Sequence, residues 1–286
     1  MAFDRELLRR LPRVLRARDF HLYLEGGKRL TDLWLDGGRA VLGHKPPRVL
    51  LELKNAAERG LFTPLPHPTE RRLIKALGEF FPDRAFRLYA DFGALRRALE
   101  KAGFSEAGGA GEKNVSLWRP FLELFPAGKS CYAKTPILIP VLPWPLGPAA
   151  LVLEKSLETS FPAGDLIPPV LLAPAARALY DLAAKIRNPD RQRFHKIEKA
   201  LRELKPGKQK AGALSSEGSL WRRCGIYLTV NPEMDREKYA SLFRHFLDGG
   251  FLIPPSPGEP AILPASMSKG EETKLAELLS SPCAKP

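Results

Sequence analysis

The chain has 286 residues, which suits one large domain or two modest ones and is enough to bury a core without disulfides or a structural metal. Apolar residues make up 44% of it and charged residues 27%, which excludes wholesale disorder. Its 45 Lys and Arg against 32 Asp and Glu give a net charge of +13, and its 28 prolines are about twice the usual share. The composition indicates a basic, loop-rich globular protein.

Cysteine usage and hydropathy set further limits. Cys131, Cys224 and Cys283 lie far apart and form no CxxC pair, so we expect reduced thiols. The apolar stretch 136–153 is interrupted by five prolines, and no run reaches the roughly 18–20 residues that a membrane span needs. The Arg-rich N-terminus contains acids and is not followed by an apolar signal segment, so we expect a cytoplasmic location.

The N-terminal 60 residues predict a helix, a hairpin and a second helix. Residues 5–17 alternate arginines with leucines and a valine at helical spacing, although Pro12 limits the regularity of that helix. Two β-type runs within 22–34 flank the pair Gly26-Gly27, a pattern typical of a hairpin. Pro47 suits the first position of a helix that stops at Gly60.

The remaining elements alternate between helices and strands. Spacing predicts helices over 69–80, 93–102, 167–186, 235–248 and 269–280. Asn188-Pro189 is a start signal for one more helix, whose apolar face carries Phe194, Ile197, Leu201 and Leu204. Short apolar runs predict strands over 86–89, 137–142, 149–153, 224–230 and 251–253, and the Gly- and Ser-rich stretch 103–116 predicts an exposed loop. Ser268 followed by Glu271 is a capping box for the last helix. This alternation predicts the α/β class.

Two ends of the chain carry motifs of a known family. Residues 26–32 (GGKRLTD) and 42–47 (LGHKPP) resemble, in order and spacing, the hairpin and the L-G-H-x-x-P turn of class III pyridoxal-phosphate-dependent aminotransferases, such as glutamate-1-semialdehyde aminomutase. Residues 66–81 resemble the segment that follows in that family. Residues 246–272 are similar to its C-terminal pattern. The resemblance covers roughly residues 10–100 and 220–280, a little over half of the chain.

The resemblance implies a fold, a set of segments and an oligomeric state. It implies an abbreviated fold-type I sheet core of the pyridoxal-phosphate transferases, with a smaller C-terminal α+β lobe. Residues 1–60 would form the N-terminal helix and hairpin segment of the small lobe, 61–186 the shortened α/β core, and 187–286 the C-terminal lobe. Because the family is homodimeric, the resemblance also implies a homodimer.

The chain departs from the family at the residues that handle the cofactor. Pyridoxal phosphate needs a lysine for its covalent attachment, a carboxylate beside its ring nitrogen, and amide and hydroxyl donors for its phosphate. Where the family has S-G-T-E-A after a strand, this chain has D-F-G-A-L at 91–95, so Gly93 remains but both hydroxyls are absent. The family's D-E-V strand and its lysine before a Gly-rich loop have no match. We therefore expect a protein without a cofactor and without catalysis: a scaffold, a regulatory subunit or a ligand-binding remnant.

Two alternatives stay open. One is a pyridoxal-phosphate aminotransferase or aminomutase with a relocated lysine, for which Lys129 and Lys134 are the candidates, with Glu154 or Asp165 as the partner of the ring. The other is binding of nucleic acid or an anionic surface through 185–210, which holds ten Lys or Arg against three acids. Within that segment we single out Lys196, Lys199 and Arg202.

The remaining candidate residues indicate structural roles more than catalytic or metal-binding ones. Trp34 and His44 lie within or near the L-G-H-x-x-P segment, where the resemblance implies the mouth of an active site, and they could form a remnant of a ligand pocket. The five histidines show no metal-ligand spacing, so we expect no metal site. The chain also has no G-x-S-x-G elbow and no Walker A motif, which gives no support to a serine hydrolase or a P-loop nucleotidase.

Overall fold

A computed structural model describes residues 5–104, 115–122, 132, 135–187, 194–203 and 220–281. They divide into two compact units, the first comprising Met1–Gly37 with Asp190–Pro286 and the second Gly38–Pro189. The segment 1–60 is therefore shared between the units. Its residues 38–60 fold with the second unit, because the helix that they contain packs on a long helix of that unit.

The described residues form eight α helices and eleven β strands. The helices are α1 (Arg5–Leu8), α2 (Pro47–Glu58), α3 (Thr69–Gly78), α4 (Phe92–Lys101), α5 (Pro169–Arg187), α6 (His195–Glu203), α7 (Arg236–Asp248) and α8 (Lys269–Ser280). The strands are β1 (Val14–Arg18), β2 (His21–Leu24), β3 (Arg29–Asp32), β4 (Arg84–Tyr89), β5 (Val115–Trp118), β6 (Ile137–Pro140), β7 (Ala149–Glu154), β8 (Arg222–Cys224), β9 (Tyr227–Thr229), β10 (Phe251–Leu252) and β11 (Ala261–Ile262).

The first unit combines an N-terminal and a C-terminal segment of the chain. Its larger sheet has the order β1-β2-β3-β10, in which β1, β2 and β3 are antiparallel neighbours and β10 runs parallel to β3. A smaller antiparallel sheet has the order β11-β9-β8. Apolar side chains of α7 and α8 pack with the inner face of the larger sheet in one core, which includes Leu30, Phe243 and Phe251.

The predicted helix over 5–17 is wrong beyond its first turn. Only α1 is helical, and residues 14–18 form β1, which lies at the edge of the sheet and pairs with β2 alone. Pro12 explains the break, because proline lacks the backbone N–H that a helix needs and drives the residue before it towards an extended conformation.

The second unit is a four-stranded mixed sheet covered by helices. The order is β4-β7-β6-β5, with antiparallel pairs β4–β7 and β7–β6 and a parallel pair β6–β5. All four residues of β6 and the first five of β7 are buried, as the continuous apolar runs predicted. Helices α2 and α3 both pack on α5, which continues through Pro174.

Most of the other predicted elements are confirmed, with small shifts in their ends. The hairpin around Gly26-Gly27 forms, and the Ser268–Glu271 capping box is complete. The predicted strand over 224–230 is a tight hairpin of β8 and β9, and β5 was not predicted. Most of the loop predicted over 103–116 lies outside the described residues. No helix in the described ranges is long and apolar enough to cross a membrane.

Candidate functional site

The turn between β4 and α4 occupies the place where the resemblance puts the phosphate-binding loop. Asp91 is the N-cap of α4, with an extended backbone, and its Oδ1 accepts a hydrogen bond of 2.7 Å from the backbone N–H of Ala94. Gly93 is the second residue of the helix, and a Cβ added there would lie 3.1 Å from Asp91 Oδ1. The carboxylate therefore lies directly over the first turn of the helix.

A second carboxylate lies beside the same turn. Asp165 Oδ2 accepts a hydrogen bond of 2.9 Å from the backbone N–H of Ala90, and the Asp165 N–H donates to the carbonyl of Leu88 at 2.8 Å. Burial raises the pKa of the neighbouring Tyr89, and the Asp165 charge adds to that rise against the opposing effect of Arg87. Asp165 thus holds the end of β4. Glu154, the other candidate partner for a cofactor ring, is the last residue of β7 and lies 4.0 Å from Arg84.

An arginine lies over an aromatic ring at the start of α4. The guanidinium of Arg39 lies 4.8 Å from the centre of the Phe92 ring, and its Nη1 donates to the carbonyl of Pro145 at 3.3 Å. Trp144 is 6% exposed, and its indole N–H has no acceptor among the described residues. Residues 39, 92 and 145 therefore meet in one part of the second unit, which the sequence patterns did not predict.

These residues do not fit the phosphate of pyridoxal phosphate. Helix N-termini bind phosphate through free backbone N–H groups and nearby hydroxyls, helped by the positive end of the helix dipole. Here Asp91 already accepts from the Ala94 N–H, a second carboxylate lies one residue away, and residues 91–95 include no hydroxyl. A dianion would be repelled by both charges. Lys129 and Lys134, the lysine candidates, lie outside the described residues.

Trp34 has a structural role in the first unit. Its indole N–H donates to Glu259 Oε2 at 2.9 Å, and its backbone N–H donates to Asp32 Oδ1 at 2.8 Å. Both acids are buried, at 8% and 2% exposed respectively. Burial, followed by the Glu259 charge, raises the pKa of the nearby Tyr239, whose hydroxyl donates to the carbonyl of Pro254 at 2.7 Å. The indole N–H is thus already used inside this unit.

His44, the other residue of the predicted pocket remnant, belongs to the second unit. It is half-buried and follows Gly43, whose positive φ of 94° makes the tight turn before α2. The structure therefore places Trp34 and His44 in different units.

The basic residues that we singled out on α6 all have partners. The Nζ of Lys196 donates to the hydroxyl of Thr273, Lys199 lies 3.9 Å from Glu203, and Arg202 pairs with Glu198. The opposite face of the helix is buried and carries Ile197, Ala200 and Leu201. The described part of 185–210 thus includes an amphipathic helix on which Lys196, Lys199 and Arg202 each contact an acid or a hydroxyl. Residues 188–193 and 204–210 lie outside the described residues.

Glu271 joins the start of α8 to the larger sheet of the first unit. Its Oε1 lies 2.7 Å from His21 Nε2 and accepts from the Thr31 hydroxyl and from Arg29, at 3.1 and 3.2 Å. Its Oε2 accepts from the Ser268 N–H at 2.9 Å, which completes the capping box. Burial alone would raise the pKa of Glu271, but the bonds from Ser268, His21 and Thr31 outweigh it and lower the pKa to about 2.

Comparison with curated proteins identifies relatives along nearly the whole chain. An uncharacterized protein of Treponema pallidum is 30% identical over 295 aligned residues, which cover 92% of each chain. The chain belongs to the family of this protein. An uncharacterized protein of Borreliella burgdorferi is 27% identical over 273 residues, covering 94% of this chain and 90% of its own. No protein-family model matches the chain.

Solved structures show the fold of this family member. An omega-transaminase from Sphaerobacter thermophilus superposes with a TM-score of 0.65 at 13% identity, over 94% of this chain and 90% of that one. Ornithine aminotransferase from Plasmodium yoelii gives 0.60 at 12% identity, over 93% and 92%. Acetylornithine aminotransferase from Elizabethkingia anophelis gives 0.59 at 13%, over the same shares. The chain thus has the mixed α/β aminotransferase fold and is shorter than these neighbours.

Proposed function

We propose that this protein keeps the aminotransferase fold without pyridoxal-phosphate chemistry, and that it acts as a scaffold, a regulatory subunit or a ligand-binding protein. The Asp91 carboxylate at the start of α4 is the observation that carries this proposal, because it takes the position and the amide donor that a cofactor phosphate would need. The second carboxylate, on Asp165, supports it.

An absorbance titration with pyridoxal phosphate tests the proposal. We expect no new band of lysine-bound cofactor and no rise in the thermal midpoint of unfolding. The alternative of a relocated lysine predicts a band that Lys129→Ala or Lys134→Ala abolishes, and that result would overturn the proposal. Lys155→Ala is the matched control, because Lys155 is an exposed lysine of the second unit that lies 3.7 Å from Asp83, away from the α4 turn in sequence.

Binding of nucleic acid through 185–210 is a separate alternative. The pairs made by Lys196, Lys199 and Arg202 support a solvated, structural α6. Salt-sensitive retention on heparin that is lost when these three residues are changed to alanine would instead support binding through this segment.

We further propose that the protein is a homodimer, as its resemblance to the aminotransferases implies. Three large apolar side chains lie close together in sequence and are more than half exposed: Leu51 at 57%, Phe62 at 59% and Leu65 at 61%. A second copy would cover them. Light scattering should give the mass of a dimer for the wild type and of a monomer for Leu51→Glu/Phe62→Glu. Leu146→Glu, at a residue 59% exposed, is the control, and a monomeric wild type would contradict the proposal.

A further inference from the structure

The N-terminal part of the first unit carries an uncompensated run of arginines. Between residues 9 and 18 there are five arginines and no acid, and all five arginines are exposed. Arg9, Arg10 and Arg13 have no ion-pair partner among the described residues, and Arg18 lies 3.5 Å from the exposed Asp19. We call Arg9, Arg10, Arg13, Arg16 and Arg18 the arginine surface. Its charges differ from those of α6, which are matched.

The sheet extends this surface across its outer face. Arg16 on β1 pairs in register with Tyr23 on β2, which pairs with Arg29 on β3, so the three side chains lie in a row on one face. The guanidinium of Arg16 lies 4.2 Å from the centre of the Tyr23 ring. Stacking on the ring reduces the freedom of the guanidinium, which favours recognition of planar or bidentate anions.

The next row on this face is also polar. Arg18, His21 and Thr31 lie in register one step along the strands. Glu271 contacts His21, Thr31 and Arg29. Its negative charge therefore lies beside β2 and β3 rather than beside the edge strand β1. The positive charge therefore increases towards the sheet edge.

Three classes of partner could use such a surface, and the geometry favours one of them. A membrane-binding surface needs a broad apolar face, but residues 9–18 expose just two large apolar side chains, Val14 at 46% and Leu15 at 70%. An acidic peptide adding to the sheet would need a regular edge, but the register of β1 shifts between Val14 and Arg16.

We propose that the arginine surface binds the sugar–phosphate backbone of a single-stranded nucleic acid. Arginines supply bidentate contacts to phosphates, and Tyr23 supports the guanidinium of Arg16 within the arginine surface.

Fluorescence anisotropy with a labelled oligothymidylate tests this proposal on the full chain. We expect binding that weakens with added salt. The variant Arg13→Ala/Arg16→Ala/Arg18→Ala should bind at least tenfold more weakly, and the slope of log affinity against log salt should fall by about 2, since each phosphate contact contributes about 0.7 for single strands. Lys196→Ala/Lys199→Ala/Arg202→Ala is the matched control with the same loss of charge, and we expect its affinity to stay within twofold of wild type.

Several results would overturn the proposal. These are a wild type that does not bind at low salt, an arginine variant that binds as the wild type does, or a loss that follows the α6 variant instead. Tighter arginine-dependent binding to phosphatidylserine vesicles or to polyglutamate than to the oligonucleotide would assign the surface to another partner. Because the three arginines are exposed, we expect an unchanged thermal midpoint, and Arg13→Gln/Arg16→Gln/Arg18→Gln replaces the alanine variant if that midpoint falls.

Discussion

Two carboxylates at helix starts of this protein, Glu271 of α8 and Asp91 of α4, differ in the residues that they contact. Glu271 at the start of α8 contacts His21, Arg29 and Thr31 of the sheet, more than 230 positions away along the chain. Asp91 at the start of α4 is exposed and accepts a local hydrogen bond from the Ala94 N–H. The first carboxylate joins distant parts of the first unit, whereas we propose that the second disfavours a phosphate at its helix start.

The largest effect is expected when the Glu271 contacts are removed. Glu271→Ala should lower the free energy of unfolding by about 3 kcal/mol, because it deletes a capping interaction and leaves the buried Thr31 hydroxyl without its acceptor. Urea unfolding measures the loss. The control is Glu277→Ala on an exposed position of the same helix, for which we expect a change below about 0.5 kcal/mol. Equal losses in both variants would show that Glu271 has no special role.

The pH dependence of the free energy of unfolding should report on the same carboxylate. The pKa of Glu271 is lowered to about 2 in the folded protein from the usual 4.5, so its contribution to stability is present above pH 4.5 and is lost as the pH falls towards 2. Glu271→Gln cannot lose a charge. In urea titrations between these two pH values, its stability should therefore fall less steeply than that of the wild type. Parallel pH dependences would contradict the assignment.

A smaller change is expected at Asp91. Asp91→Ala should destabilise the protein by about 1 kcal/mol through loss of the cap, while Asp91→Asn and Asp91→Ser, which keep a side-chain acceptor, should stay within about 0.5 kcal/mol of wild type. Thermal or urea unfolding distinguishes these outcomes. If Asp91→Ala is silent, the hydrogen bond to Ala94 contributes nothing measurable.

Asp91→Ser also sharpens the contrast in binding. It removes one negative charge and supplies a hydroxyl without removing the cap, so we expect pyridoxal phosphate to raise the thermal midpoint of this variant slightly and that of the wild type not at all. No response in Asp91→Ser would mean that Asp91 is not the feature that disfavours the phosphate.

Local signals in the sequence predicted much of the fold. The Gly26-Gly27 hairpin and the capping box of α8 formed as expected, because their residues fix the backbone over short distances. The helix predicted over 5–17 was wrong, since apolar residues among arginines fit an edge strand as well as a helix, and sheet pairing with β2 decides between them. Residues 38–60 fold with the second unit through packing on α5, which periodicity does not reveal.

The candidate site was less predictable than the fold. The absence of hydroxyls at 91–95 was visible in the sequence, and an aspartate before a predicted helix is a known cap signal that could have identified the Asp91 bond. The contact of Asp165 with residue 90 and the meeting of Arg39 with Phe92 depend on long-range packing. The bond from the Trp34 indole to Glu259 was also invisible, because Glu259 lies far away in sequence.

The parallel pairing of β3 with β10 has a consequence for biosynthesis. Thr31 leaves the ribosome long before its strand partner Phe251 is synthesised. The second unit, in contrast, is one continuous segment, so all strands of its sheet are synthesised within that segment. The second unit can therefore finish folding first, while the apolar face of the hairpin waits uncovered for the strand that completes its sheet. Slow translation of the last hundred codons should lengthen that wait and make the nascent chain depend more strongly on chaperones.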